Sequence, residues 1–303
     1  MPTVLITGGT GLIGNRLSSL LVKKGYEVRW LSRQENLQAQ YPTFGWNIQK
    51  DYINSEAFRR IDHIIHLAGA NIVDKRWTTQ RKKVIIDSRV QSTKLLAKYI
   101  ASENVQLQSF VGGAAIGYYG NTGEDTNTVG SPLGQDFMAE ICNLWEKSYS
   151  SIKQLGIRTP IIRIGLVLST QGGALSKMLP SYKVRIGSYF GNGAQYYSWI
   201  HLDDVCNILI HAMETEAMTG IYNGVAPNPV SNKTLAQQIA KALNKKSLIM
   251  PVPALVMKTA MGEMAMAVLN STKVQPKNLL DNGFQFEHPD LLEALNHLVV
   301  NKI

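Results

Sequence analysis

Two stretches of this 303-residue chain carry residue types at spacings that invite chemistry. The first is "ITGGTGLIG", which places Gly8, Gly11 and Gly14 three apart, with Gly9, Thr10, Leu12 and Ile13 between them. It follows the apolar run "TVLIT", which reads as a buried strand, and it opens a helical pattern. A chain that leaves a strand, turns tightly and enters a helix close to the sheet needs glycine at each step. The helix start then presents unpaired N–H groups, which suit a diphosphate. The second stretch is "FVGGAAIGYYG", a strand running into a glycine-punctuated loop, with no hydroxyl before Tyr118.

The second strand, "EVRWLS", ends at Ser32 and is followed by Arg33. A dinucleotide with free ribose hydroxyls calls for a carboxylate there. An arginine suits a 2′-phosphate through charge-assisted hydrogen bonds, so NADP is expected over NAD. A plain surface arginine is the alternative. "SWIHLDD" joins His201 to Asp203 and Asp204. That is either an acid/base pair or a helix cap with packed neighbours. Arg76 and Arg89 could hold an anionic small molecule, and pairing with nearby carboxylates serves equally well. His63 and His66 lie three apart on a strand and therefore point to opposite faces, which excludes a metal pair. No metal site is expected. Met257, Met261, Met264 and Met266 read as core or as a flexible pocket wall.

These residues are positioned by an alternating series. Strands are expected at 3–7, 27–32, 63–69, 109–113, 158–165 and 220–225. Helices are expected from Leu12, over Thr78 to Ser102, over Gln135 to Leu155 and over 202–215. Such alternation predicts an α/β fold, a Rossmann-type doubly wound parallel sheet. Residues 1–225 form the expected nucleotide-binding domain, with 166–201 irregular and lining a cleft. Residues 226–303 form a smaller C-terminal, substrate-side domain, with a helix near 232–244 and a last helix begun by Pro289. The net charge of +9 is dispersed, and no zinc-finger spacing or basic tail appears. Nucleic acid is therefore not an expected partner. The stretch "ALVMKTAMGEMAMAVL" is too short and too charged to span a bilayer, and no membrane partner is expected. Two cysteines, Cys142 and Cys206, and a first strand starting at Thr3 point to a reducing, cytoplasmic setting.

The run "TGGTGLIG", "HLAG" and "GYYG" resembles the extended short-chain dehydrogenase/reductases, the group that includes nucleotide-sugar epimerases. "AGANIVDKRWT", "DSRVQST", "AAIGYYG", "WE", "SWIHLDDV" and "PVPALVMKTAMGEMA" are similar to atypical epimerase-family proteins with their own C-terminal domain. The resemblance implies a cofactor site that also uses Leu67, Ala68, Gly69 and Arg89. It also implies a proton relay of Asn, Ser, Tyr and Lys. At the matching positions stand Arg89, Ala114, Met138 and Cys142, so the usual relay is absent. A literal Tyr149-x-x-x-Lys153 lies about ten residues too late and is expected to be structural. If the protein is an enzyme, the candidate proton donors are Tyr118, Glu146 and His201. The alternative is a non-catalytic NADP(H)-binding sensor or regulator. Substrate and oligomeric state stay open.

Overall fold

The computed structural model describes residues 1–300. Six early strands are β1 (Thr3–Thr7), β2 (Glu27–Ser32), β3 (Thr43–Asn47), β4 (Tyr52–Ile53), β5 (His63–His66) and β6 (Ser109–Ala115). With the Ile161–Ile164 and Ile221–Gly224 strands they build one eight-stranded sheet. Its order is Ile221–Gly224, Ile161–Ile164, β6, β5, β1, β2, β3, β4. Every pairing is parallel except β3 with β4. The doubly wound α/β sheet predicted from the sequence is thus present. β3 and β4 were missed, since "TFGWN" has a glycine at its centre and β4 is only two residues long.

Alternate residues of each strand face alternate sides. Val4 and Ile6 pack on one face with Leu17 and Leu21 of α1 (Leu12–Lys23) and with Leu209 of the Leu202–Glu214 helix. Leu5 packs on the other face with Leu96 of α2 (Thr79–Ser102) and Trp145 of α3 (Phe137–Ser148). The sheet is therefore covered on both sides, as a buried parallel sheet requires. The order reverses between β1 and β5, whose C-terminal ends form the crevice where such sheets take ligands. Thr7 closes that crevice from below. Its hydroxyl accepts from the backbone N–H of Leu67 (3.2 Å) and Ala68 (3.1 Å) and lies 2.6 Å from His66 Nδ1.

Residues 166–201 are more ordered than expected. They hold a strand (Leu166–Leu168), a helix (Gly173–Lys183), a strand (Ile186–Phe190) and a strand (Trp199–His201). The glycines that read as irregular serve corners instead: Gly173, Gly191 and Gly193 have positive φ. Tyr182 and Trp199 of this segment are fully buried with Leu235, Ile239, Leu291 and Leu295 in a third core. Ile186–Phe190 also pairs in parallel with Leu248–Val252. Further along, Ser198 Oγ donates to Thr272 O (2.8 Å), and Leu279 and Phe284 enter the α1 core. The later C-terminal elements include helices Asn232–Ala242 and Leu291–Val300. Among the described residues no helix is long and apolar enough to cross a membrane.

His63 and His66 do face opposite ways. His63 packs edge-on to Tyr26, and His66 lies against Phe110 and Tyr149. His66 is fully buried, with Nε2 near the hydroxyls of Ser92 (3.1 Å) and Thr93 (3.3 Å). Burial, aided by the Arg89 charge, pushes its pKa down to about 3. An unfolded histidine titrates near 6.5. Stability is therefore complete above that pH and falls as the solution is acidified towards the folded value. The expected loss from His66 is about 1.4 kcal/mol per pH unit. Urea unfolding between pH 7 and 5 should show a slope at least this steep, and His66→Gln should reduce it by about the His66 share, leaving that of His201.

Candidate functional site

The first glycine loop divides into distinct tasks. Gly8 has φ 75°, and a side chain there would meet the Leu67 backbone at 3.0 Å. A Cβ on Gly9 would strike the Trp30 ring at 2.5 Å, and one on Gly14 would strike Gly8 O at 2.3 Å. These three are required by the fold itself. Gly11 differs. Its backbone is extended (φ −79°, ψ 172°), it is exposed, and a Cβ there would have a single neighbour, Gly8 O at 3.2 Å. Gly11 is also the N-cap of α1, and no side chain caps this helix or adds a carboxylate to its first turn. The result is a bare, positive helix end in the crevice.

Around this end stand the other expected residues. Thr10 is exposed, and Leu12 and Ile13 are half-buried. Ser32 closes β2, and Arg33 follows it, exposed and without an ion pair among the described residues. Leu67, Ala68 and Gly69 follow β5 across the crevice. Arg89 reaches them from α2. Its Nη1 donates to Ala70 O (3.1 Å) and Ile85 O (3.0 Å), and its guanidinium lies where a Cβ on Gly69 would be, at 2.9 Å. Arg89 also stacks over the Trp145 ring, 4.9 Å from its centroid, and no carboxylate pairs with it among the described residues. Arg76 is spent elsewhere, donating to Thr259 O (3.0 Å) and Ala260 O (2.7 Å) at the end of the Ala254–Met261 helix.

The positions that the resemblance matches to a relay are packed by their neighbours. Ala114 is 2% exposed. Met138 Cε and Cys142 Sγ lie 3.2 and 3.3 Å from where a Cβ on Gly117 would sit. Burial pushes the Cys142 thiol up to about 12, so it stays protonated near neutral pH. Tyr149 is buried, and its hydroxyl donates to Gly113 O at 2.7 Å. Its ring fills the space a side chain on Gly112 would need, 2.7 Å away. Gly112 thus serves the packing of Tyr149. Lys153 is exposed.

The three candidate donors do not share one environment. Glu146 is held by a buried bidentate pair with Arg163, at 2.7 and 2.8 Å. Sequence reading overlooked Arg163, although "RTPIIRIG" places a cation inside a buried strand, which is itself a signal. Arg163 Nη1 also donates to Tyr119 Oη (2.9 Å), which donates to Asn223 Oδ1 (2.7 Å). Tyr118 lies over the same guanidinium, with Cζ 3.4 Å from its ring centroid. Among the described residues its hydroxyl has no hydrogen-bond partner. Glu146 thus acts as an acceptor and positions Arg163 under Tyr118, in place of the proton-donor role expected of it.

His201 belongs to another cluster. It caps the Leu202–Glu214 helix, its Nδ1 accepting from Asp203 N–H at 3.0 Å. The neutral ring therefore carries its proton on Nε2, 3.1 Å from His297 Nδ1. His288 stacks 4.0 Å away. One nitrogen from each of these three rings lies within 4.8 Å of the others, a grouping that could hold a metal ion, which the sequence did not lead us to expect. Both nitrogens of His201 are thus hydrogen-bonded within the protein. Burial and the neighbouring His288 push its pKa down to about 3. Asp203 pairs with Arg16 of α1 at 2.6 Å. His201 fastens helices and is withdrawn as a proton donor.

A cleft of about 790 Å³ opens where the loop after Tyr119 meets the C-terminal elements. Asn121, Phe190, Gln195, Lys258, Glu263 and Met266 are among the residues that line it. Trp77, Phe137 and Met264 close a small core near its rim.

The Glu146–Arg163 pair has a testable cost. Arg163→Met would leave Glu146 buried and unpaired, and should destabilise the protein by about 3–5 kcal/mol. Adding Glu146→Gln should recover part of that loss. Urea unfolding of the single and double variants measures both.

With the geometry in place, the relatives can be compared. Residues 4–223 match the NAD dependent epimerase/dehydratase family, and residues 252–298 match a domain of unknown function, DUF1731. The epimerase family protein YfhF of Bacillus subtilis is 32% identical over 302 residues, covering 99% of this chain and 98% of its own. An epimerase family protein of Staphylococcus saprophyticus is 34% identical over 303 residues, 99% of this chain and 100% of its own. Human epimerase family protein SDR39U1 (isoform 2), solved with NADPH, superposes with a TM-score of 0.87 at 31% identity, covering 99% of both chains. UDP-N-acetylglucosamine 4-epimerase from Bacillus cereus shares the fold, with a TM-score of 0.80 at 15% identity and 99% of both chains covered. The match over residues 4–223, together with relatives above 30% identity along the whole length, places this chain in the NAD dependent epimerase/dehydratase family.

Proposed function

We propose that this chain is an NADP(H)-binding, epimerase-like oxidoreductase that works without the usual Asn-Ser-Tyr-Lys relay. The observation that carries the reading is the bare N-terminus of α1 at Gly11, open to a ligand where Gly8, Gly9 and Gly14 are closed by the fold. The diphosphate would lie against Gly11, Leu12 and Ile13. Arg33, free of partners, supports a 2′-phosphate, and Ser32 stands beside it. The NADPH in the human relative's structure supports the same choice. Leu67, Ala68, Gly69 and Arg89 would line the nicotinamide side. When bound, the cofactor supplies a hydride donor or acceptor.

The chain's own residues would do the rest. Tyr118 has a free phenol beside the Arg163 guanidinium, and is the group proposed to hold or move the proton. Glu146 and Tyr119 fix Arg163, and so position Tyr118. The cleft at Asn121 would receive a small-molecule substrate, and Lys258 offers it a cation for an anionic group. A second reading, a non-catalytic NADP(H) sensor, is favoured by the packing of Met138 and Cys142 where the relay would stand.

Titration of NADPH fluorescence tests the binding. Gly11→Val should fold and lose NADPH, because only Gly8 O stands near the new side chain. Arg33→Asp should erase the preference for NADPH over NADH, a change of about 1–3 kcal/mol. Equal affinity of the unaltered protein for both cofactors would overturn the choice of NADP.

A screen of carbonyl compounds tests turnover. On any substrate found, Tyr118→Phe should lower kcat by about 10²–10⁴-fold, the usual contribution of a positioned acid. His201→Asn should leave the chemical step in place while lowering stability. A screen with no turnover would favour the sensor.

A further inference from the structure

We infer that the face formed by the corner at Lys183–Ile186 and the Leu248–Val252 strand docks on an anionic lipid surface. The charge of the chain is placed unevenly. Residues 169–201 and 217–262 together hold eight lysines and arginines and no carboxylate. The whole chain carries a net charge of only +9, so these two segments supply most of it. They are also the segments that meet in the parallel ribbon of Ile186–Phe190 with Leu248–Val252.

The ribbon has two unlike faces. Ile249 points inward and packs on the core around Tyr182 and Leu235. On the other face the register sets Ile186 beside Leu248 and Ser188 beside Met250. Ile186 is 45% exposed, Leu248 65% and Met250 47%. Val184, at the corner that leads into the ribbon, is 69% exposed. Isolated apolar residues on a surface are ordinary, but adjacent ones on one strand pair form a patch. Lys183 and Arg185 flank Val184 in sequence, and Lys245 and Lys246 stand just before Leu248. All four are exposed, and none forms an ion pair among the described residues.

An aliphatic centre with an unpaired basic rim matches the boundary of a bilayer bearing negative headgroups. The aliphatic side chains enter the acyl boundary and the cations meet the headgroups. Nucleic acid fits the rim and not the centre, since it offers phosphates and stacking faces and takes aromatic or arginine planes in return. The exclusion of a membrane partner from the sequence concerned spanning segments, whereas lying on a surface needs only this face.

Flotation of the full-length protein with vesicles tests the inference. Vesicles of phosphatidylcholine with about one third phosphatidylglycerol should carry the protein, and pure phosphatidylcholine should not. Lys245→Glu with Lys246→Glu should weaken binding at least ~10-fold and blunt its salt dependence. Leu248→Ser with Met250→Ser should also weaken it ~10-fold, most visibly where salt already screens the charges. Urea midpoints should stay near the unaltered value, because all four side chains are exposed. Absence of binding to the mixed vesicles would overturn the inference, as would equal binding to both vesicle types. Retention of full affinity by the Leu248/Met250 variant would also overturn it. Tighter binding of a DNA duplex, insensitive to those two serines, would reassign the face to nucleic acid.

Discussion

The architecture turns on one buried ion pair. Arg163 sits in the middle of a parallel strand at 2% exposure, where an unpaired guanidinium would be prohibitively costly. Glu146 answers it from α3 with both oxygens, and Tyr119 takes a further N–H. Each partner in turn commits something else. Tyr119 Oη donates to Asn223 on the neighbouring strand, and Asn223 Nδ2 donates to Gln275 O in the C-terminal elements. One cation thus ties α3, the loop after β6, two strands and the C-terminal segment at Gln275 into a single network. Such a network fixes geometry more than it adds stability, because desolvation offsets much of the Coulomb gain. What it fixes here is the placement of Tyr118 over Arg163, at the C-terminal edge of the sheet.

Beside that network the loop after β6 is held by packing. α3 presents Met138 and Cys142 to Gly117. Apolar side chains in this contact need no hydrogen-bond partners, so they hold the loop by packing alone. Tyr149, two turns on from Cys142, occupies the space under Gly112 and bonds Gly113 O. Glycines that would open the backbone to a ligand in a simpler reading open it to a core tyrosine.

Much of the fold was legible because parallel strands and their helices write strong local patterns. "TVLIT" followed by spaced glycines can hardly be anything but strand, turn and helix, and the Thr78 cap with its 24-residue helix was equally plain. Segment 166–201 was not legible. Its order comes from contacts far along the chain: Tyr182 with Ala236, Trp199 with Asn228, and Ile186 with Leu248. No local period records these. In the candidate site, the sequence shows why Gly8, Gly9 and Gly14 must be glycine, because each serves a local packing need. The Glu146–Arg163 pair needed the sheet, since seventeen residues separate its members. His201 misled because an imidazole before two aspartates looks catalytic until its Nδ1 is seen capping the helix and its Nε2 facing His297.

The separate clusters of Tyr118 and His201 leave a division of labour across the crevice. On the side of β1 and α1, Arg16 pairs with Asp203 and His201 caps the same helix, so α1 and the Leu202–Glu214 helix are fastened together. The β6 side has no carboxylate on Arg89, and the Tyr118 phenol has no partner among the described residues. Of these two groups only the phenol lacks a hydrogen-bond partner among the described residues, since Arg89 already donates to Ala70 O and Ile85 O. Tyr118 is therefore the group on this side whose hydrogen bonding stays open. Under the proposed function, the phenol is the group that would meet a substrate oxygen gaining negative charge. On that proposal no serine is needed at Ala114, only a donor whose position is set in advance by the Glu146–Arg163 pair beneath it.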